Sequence, residues 1–82
     1  MITRLYSIED TTAGEFGEPF PSVKDEVAKR SFGISVNDKN SMLNLKPNDF
    51  NLWYVGTFDT ATGTILPDKP TKLANGSSLK EE

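Results

Sequence analysis

The carboxylates are the side chains of this sequence that could do chemistry, and they include the adjacent pairs Glu9–Asp10 and Asp25–Glu26. Two converging carboxylates can hydrolyse a glycosidic bond or bind a cation through oxygen. Neighbours on a strand point to opposite faces, however, and neighbours on a helix lie about 100° apart. We therefore expect neither pair to form a catalytic centre or a calcium site.

The other residue types that catalysis uses are absent or lie in no known pattern. The 82 residues include no His and no Cys, which removes the usual general base, the thiol nucleophile and the common zinc ligands. The serines match neither a nucleophile elbow nor a serine–lysine pattern, and no phosphate-binding loop sequence occurs. We therefore expect a protein that is not an enzyme and that has no metal site and no cofactor.

A pentapeptide, DTTAG at 10–14, returns almost unchanged as DTATG at 59–63. Asp accepts hydrogen bonds from the backbone of a turn, and Gly adopts the positive φ that closes a short hairpin loop. Strand-forming residues precede both copies. We predict that both are hairpin turns rather than phosphate or cation loops.

Composition points to one small domain. The chain has 82 residues, 35% of them hydrophobic, and a net charge of −3, which opposes non-specific coating of nucleic acid. It has no apolar run long enough for a membrane span and no signal-peptide pattern, so a cytoplasmic location is expected. A domain of this size without disulfides or metals often gains stability by self-association, so we expect a homo-oligomer, a dimer or higher.

The elements that must position these residues form one α+β domain over residues 1–76: a small, mostly antiparallel sheet of two hairpins, packed by one main helix. A first strand is predicted up to Asp10. The prolines of EPFP at 18–21 should then stop the sheet, because proline donates no ladder hydrogen bond. Residues 77–82 are expected to form a flexible tail.

The main helix is predicted from Ser22 and Asp25, which match a capping box, to about Val36. Gly33 leaves open an alternative in which the helix ends there and a short strand follows. The apolar residues form two opposite stripes: Val23, Val27 and Ile34, against Ala28 and Phe32. One stripe should meet the sheet, and the other a short segment or a partner chain.

The strongest strand pattern is DFNLWYVGTFD, at 49–59. Its alternation predicts two faces, one with Phe50, Leu52, Tyr54 and Phe58 and the other with Trp53, Val55 and Thr57. If the helix covers the first face, Trp53 lies on the other. It would there be a stacking platform for a base, an anchor in a protein interface or a residue half-covered by a loop.

Charge is distributed unevenly along the chain. The segment 9–18 has four acids and no base, namely Glu9, Asp10, Glu15 and Glu18, whereas 22–46 has five bases against three acids. The candidate contacts to DNA or to a protein partner are Lys24, Lys29, Arg30 and Trp53. A solvated helix face is the alternative for the helical bases. The candidate oligomer contacts are Ala28, Phe32 and Val55.

Five stretches in a fixed order carry a family resemblance: LYSIEDTTAGEFGEPFP, DEVAKRSF, VND, NSML and PNDFNLWYVGTFDTATG. From Leu5 to Gly63 the chain resembles the small non-structural protein of gokushovirus-type microviruses, bacteriophages with circular single-stranded DNA. The resemblance implies a protein of the bacterial host cytoplasm that is absent from the virion. It supplies no active-site residues.

The function that the resemblance implies is viral DNA replication or the switch to single-stranded DNA packaging. The partners would be viral or host replication and packaging proteins, with single-stranded DNA as a further ligand. The alternative is a structural or inhibitory protein, either an assembly helper or an acidic mimic of DNA. The acidic residues of segment 9–18 favour this alternative.

Overall fold

Five antiparallel strands form one sheet in the computed structural model of the chain, which describes residues 1–81. The strands are β1 (Ile2–Asp10), β2 (Glu15–Phe16), β3 (Phe20–Ser22), β4 (Phe50–Asp59) and β5 (Thr64–Asn75). The helices are α1 (Asp25–Asn37), α2 (Met42–Leu45) and α3 (Gly76–Leu79), with a 3-10 turn at Pro47–Asp49. β1 and β4 are central, β5 is one edge, and β2 and β3 share the other. The predicted α+β class is confirmed.

Both copies of the repeated pentapeptide are hairpin turns, as predicted. Gly14 and Gly63 have φ values of 71° and 75°, and their N–H groups donate to the carbonyls of Asp10 and Asp59 at 2.9 and 2.8 Å. Each Asp side chain also accepts from the backbone N–H two residues on, at 3.0 and 2.9 Å. The same Asp and Gly interactions therefore form the turn in both hairpins.

The core lies between α1 and one face of the sheet. Three residues of α1 and four of the central strands are buried there: Ala28, Phe32 and Val36, with Tyr6, Phe50, Leu52 and Tyr54. The expectation that Ala28 and Phe32 form oligomer contacts is therefore wrong, because both side chains lie inside the single chain. The outer side of α1 carries Val27 and Ile34 of the opposite stripe, whereas Val23 precedes the helix.

The start of α1 differs from the capping-box prediction, whereas its end is confirmed. The N-cap is Lys24, without a side-chain hydrogen bond, and Ser22 lies in β3 opposite Arg4. The Asp25 carboxylate is bound instead to side chains of β1. Gly33 does not end the helix, which continues to Asn37.

The EPFP segment does not stop the sheet. β3 contains Pro21, which pairs opposite Leu5 of β1. Proline is tolerated here because β3 is an edge strand, where a backbone N–H on the outer side has no ladder partner to lose.

A bulge in β4 changes which residues share a face. Tyr6 lies opposite Tyr54, but the next residue back along β1, Leu5, lies opposite Gly56, so Val55 is an extra residue. Opposite residues share a face, and beyond the bulge the alternation is inverted. Phe58, which pairs with Thr3, is therefore on the face away from α1. The prediction that Phe58 faces the core is wrong.

The C-terminal segment packs on α1 as far as the structure describes it. The side-chain amide of Asn37 donates to the Leu79 carbonyl at 3.0 Å, and its oxygen accepts from the Glu81 N–H at 2.7 Å. Leu79 packs against the core. A short helix thus occupies Gly76–Leu79, where a flexible tail was expected from residue 77, and Glu82 lies outside the described residues. No helix formed by residues 1–81 has the length and apolar character needed to span a membrane.

Candidate interaction surface

The sheet face away from α1, here called the open face, holds the candidate site. Ser7 and Glu9 of β1 lie on it beside Trp53 and Val55 of β4, because Ser7 pairs with Trp53 and Glu9 with Asn51. Phe16 of β2 pairs with Glu9, so its side chain lies on this face as well. The prediction that Trp53 lies on the side opposite the helix is confirmed.

Trp53 is half-covered by its own chain. Its indole Nε1 donates to Oε1 of Glu9 at 2.8 Å, and its ring meets Phe16 of β2 edge to face, with the centroids 5.6 Å apart. Of the three interpretations of this residue, the contact with Phe16 favours partial cover by a loop. One edge of the ring is occupied, which weakens the hypothesis of a base-stacking platform.

A polar network holds the Glu9 carboxylate beside the indole. Oε1 of Glu9 also accepts from Nδ2 of Asn51 at 3.1 Å, and Asn51 in turn accepts from Asn75 at 2.8 Å. The donors are all neutral. The ion pairs formed within residues 1–81, Arg4–Asp25 and the N-terminus with Asp59, do not include Glu9. Within the described residues, the Glu9 carboxylate is therefore held by neutral donors rather than by an ion pair.

An apolar groove runs beside Trp53 on the open face. It has a volume of about 290 Å³ and is lined by Ser7, Phe16, Gly17, Pro19, Val55 and Pro70. The Ser7 hydroxyl donates to the Gly17 carbonyl at 2.7 Å, so the one polar side chain of the lining is already paired. This volume is at the lower limit of ligand pockets, which suits an inserted side chain better than a free metabolite.

The basic candidates do not share the open face with Trp53. Lys29 and Arg30 lie on α1, on the other side of the sheet, and line a separate groove of about 540 Å³ between α1 and α3. Two carboxylates line the same groove: Glu26 and Glu81. Lys24 is exposed at the N-cap of α1. The structure therefore separates the aromatic candidate from the basic ones.

A second carboxylate–aromatic cluster, which the sequence analysis missed, joins α1 to the sheet. The Asp25 carboxylate accepts from the Tyr6 hydroxyl at 2.7 Å and from Nε of Arg4 at 3.0 Å. The Arg4 guanidinium lies 3.9 Å above the Tyr54 ring. Burial, and then the hydrogen bond to Asp25, raise the pKa of Tyr6 to about 12. The i, i+2 spacing of Arg4 and Tyr6 on one strand face was the available signal.

Comparison with known proteins identifies the family. The family model of the phage ORF5 protein matches residues 3–79. The chain belongs to the phage ORF5 family. Protein ORF5 of Chlamydia phage 1, a gokushovirus-type microvirus, is 39% identical over 66 residues, which cover 76% of this chain and 69% of that relative. No solved structure matches the chain.

The ORF5 match confirms the resemblance to microvirus proteins that the five sequence stretches indicated. The matched residues, 3–79, include the whole open-face surface, from Ser7 through Phe16 and Trp53 to Pro70. This surface therefore lies within the part of the chain that the family model matches.

Proposed function

We propose that this ORF5-family chain is a non-enzymatic accessory protein of phage DNA replication, or of the switch to single-stranded DNA packaging. It acts by protein contacts through the open face, in the cytoplasm of the bacterial host and outside the virion. The observation that carries the proposal is the hydrogen bond that the Trp53 indole donates to the Glu9 carboxylate, 2.8 Å long. It places a carboxylate at the edge of the largest aromatic side chain of the open face.

The charge of the open face favours a protein partner over nucleic acid. Trp is enriched where protein interfaces contribute most to binding. A surface that stacks bases instead places cationic side chains along the phosphate backbone. Around Trp53 the charged neighbours are one acid, Glu9, whose carboxylate accepts from the indole, and one base, Lys72 of β5, which pairs directly opposite Trp53. One base balanced by one acid does not make the row of cations that a phosphate backbone requires.

An acidic mimic of DNA is the second candidate function. The four acids of segment 9–18 occur without a base, and they lie at the end of β1, in β2 and in the segment that follows β2. A mimic would bind a basic DNA-handling protein, and DNA would displace it. Competition between DNA and the protein partner separates this candidate from a simple accessory contact.

Photo-crosslinking inside phage-producing cells tests the proposal. A photoreactive phenylalanine analogue replaces Phe16, whose side chain is 49% exposed and lines the groove. The matched control carries the same analogue at Ile34 on the outer side of α1. We expect the Phe16 position, more than the control, to capture a phage or host protein of DNA replication or packaging.

Titration with labelled single-stranded DNA completes this test. We expect weak or no binding at physiological salt, and at low salt only binding that Lys29→Gln and Arg30→Gln remove. Tight, salt-resistant DNA binding that depends on Trp53 would contradict a protein-contact function. So would crosslinks that form equally from Ile34 and from Phe16.

A further inference from the structure

Apolar side chains continue along the open face beyond the groove. Past the bulge at Val55, Phe58 of β4 lies on this face, and Ile65 of β5 lies there as well because it pairs with Phe58. Ile65 is 64% exposed and Phe58 is partly exposed, and neither residue lines the groove. An apolar strip therefore runs along β4 from Trp53 to Phe58, with Ile65 beside its far end.

One acid and one base flank this apolar strip, on opposite sides of the central strand β4. Glu9 lies on β1 and the exposed Lys72 lies on β5, and Trp53 of β4 stands between them. The ion pairs formed within residues 1–81 include neither of these two charges. The open face thus presents an apolar strip with a negative charge on one side and a positive charge on the other.

This arrangement of charges is self-complementary. A two-fold contact joins the same surface of both copies, so every pairing across it occurs twice. When the two-fold axis runs along β4, that strand faces its own counterpart, and β1 of each copy faces β5 of the other. Glu9 of each copy then faces Lys72 of the other. An unrelated partner has to supply both charges in the correct order, whereas a second copy supplies them by symmetry.

We propose that the open face forms a two-fold homodimer along β4. Trp53, Val55 and Phe58 pack against their counterparts near the axis, at the spacing of two stacked sheets, about 10 Å. Glu9 and Lys72 are two residues apart along the strands, a step of about 7 Å that the flexible lysine stem can span. The hydrogen bond to Trp53 already draws the Glu9 carboxylate toward the row that contains Lys72.

The contact uses the whole apolar strip rather than the groove alone. A standard protein interface takes roughly 800 Å² from each partner, about a seventh of the 5405 Å² surface of this chain. The groove accommodates only an inserted side chain, so the dimer also needs Phe58 and Ile65. Burial of these apolar groups drives the association, and the two charge pairs at its border fix the orientation.

The inference rests on the proposed function only in using the same surface, and it adds a regulation of that surface. A dimer covers the open face of both copies, so a replication or packaging protein binds the monomer in competition with the second copy. The concentration of the chain therefore controls how many open faces are free for such a partner, because association follows mass action.

Two neighbouring residues of β5 give a matched pair of variants for sedimentation over a concentration series. Ile65 lies on the open face, whereas Leu66, 58% exposed, lies on the other face in the row of Thr57 and Arg4. We expect Ile65→Lys to weaken the dimer about tenfold or more, since the contact occurs twice and each copy buries a new charge. Leu66→Lys should sediment like the parent. A parent that is monomeric at all concentrations, or equal effects of the two variants, would overturn the inference.

A charge reversal tests the two ion pairs across the contact. Lys72→Glu brings two acids together on both sides of the axis and should weaken the dimer about tenfold or more. Glu9→Gln keeps an acceptor for the Trp53 indole and removes only the charge. We expect Glu9→Gln to weaken the dimer in the parent and to strengthen it in the Lys72→Glu variant, where it relieves a repulsion. An effect of the same sign in both chains contradicts the pairing of Glu9 with Lys72.

Crosslinking through single introduced cysteines tests the direction of the axis, because the chain contains no cysteine of its own. Phe58 and Thr57 are neighbours on β4 and point to opposite faces. With a bis-maleimide that spans about 10 Å, the distance between stacked sheets, we expect Phe58→Cys to link to its counterpart in the other copy far more than Thr57→Cys does. Equal linkage of the two variants would overturn a two-fold contact along β4, even for a parent that sediments as a dimer.

The two proposals fail separately. A parent that sediments as a monomer but crosslinks from position 16 to a replication or packaging protein overturns the dimer and leaves the proposed function. A parent that dimerises along β4 but captures no such protein supports the dimer, and the proposed function is then wrong.

Discussion

Trp53 and Tyr54 follow one another in β4, yet their surroundings differ because they point to opposite faces of the sheet. Tyr54 is 8% exposed, its hydroxyl donates to Asp68 at 3.0 Å, and Arg4 covers its ring. Trp53 also binds a carboxylate, but the aromatic ring that packs against its indole is Phe16, which belongs to a strand of two residues. The same pair of chemical groups, an aromatic ring and a carboxylate, therefore completes a core on one face and leaves a half-covered ring on the other.

The largest expected effect compares two phenylalanines, one on each side of the sheet. Phe32 is 1% exposed in the core, so Phe32→Ala leaves a cavity and should cost about 3–5 kcal/mol. That is most of the roughly 5 kcal/mol available to a small domain, and the variant should be largely unfolded. Urea denaturation followed by circular dichroism measures the loss.

Phe16→Ala is the matched control for this loss. Phe16 is 49% exposed, and its removal should cost only about 1 kcal/mol, for the edge-to-face contact with Trp53. Equal losses for the two variants would mean that the open face carries as much of the stability as the core does, and the contrast between the faces would not hold.

The assignment of residues to the two faces was predictable where the strand is regular and failed where it is not. Alternation placed Leu52 and Tyr54 inside and Trp53 outside, and the Asp–Gly turns followed from local chemistry alone. Phe58 was misplaced because a bulge at Val55 arises from pairing with both neighbouring strands, which local alternation does not contain.

The candidate site was predictable only in part, for a related reason. A Trp opposite the helix was expected from the strand pattern, but its partners were not. Glu9 and Trp53 are 44 residues apart, and the register between β1 and β4 is what joins them. The capping-box prediction failed similarly, because Asp25 has tertiary partners in Arg4 and Tyr6 that compete with the local cap.

The second prediction tests the bulge that inverts the two faces. A Cβ at Gly56 would lie 2.5 Å from the backbone oxygen of Leu66 on β5, so Gly56→Ala must separate the two strands. We expect a loss of about 1–3 kcal/mol, as for overpacking in a core, measured again by urea denaturation. A neutral result would show that β5 moves freely relative to β4 and that the register beyond Val55 is not fixed.

The third prediction distinguishes the two aromatic–carboxylate contacts by pH. Tyr6 ionises and Trp53 does not, and the pKa of Tyr6 is raised from 10.0 to about 12. A raised pKa means that the folded state holds the proton more tightly than the unfolded state. This contribution is complete below pH 10 and is lost as the pH rises through about 12.

The free energy of unfolding should therefore fall between pH 10 and 12, and the fall should be smaller in Tyr6→Phe. That variant should also lose about 1 kcal/mol at neutral pH, for the hydrogen bond to Asp25. Burial and Asp68 also raise the pKa of Tyr54, so Tyr54→Phe is measured alongside and should remove a separate part of the fall. If Tyr6→Phe falls as steeply as the parent, the Tyr6–Asp25 contact does not form.

The smallest expected effect concerns Gly33, the neighbour of Phe32 in α1. A glycine inside a helix costs about 0.5–1 kcal/mol relative to alanine, and a Cβ at Gly33 would meet only Leu79, at an ordinary 3.8 Å. Gly33→Ala should therefore stabilise the chain by that amount, which scanning calorimetry would detect as a rise in Tm of a few degrees. Gly76→Ala is the matched control, because a Cβ there collides with the Pro47 carbonyl, and it should destabilise. A lower Tm for Gly33→Ala would mean that Leu79 packs more tightly on α1 than this spacing indicates, so that the side of the helix that faces α3 has no room for an added methyl group.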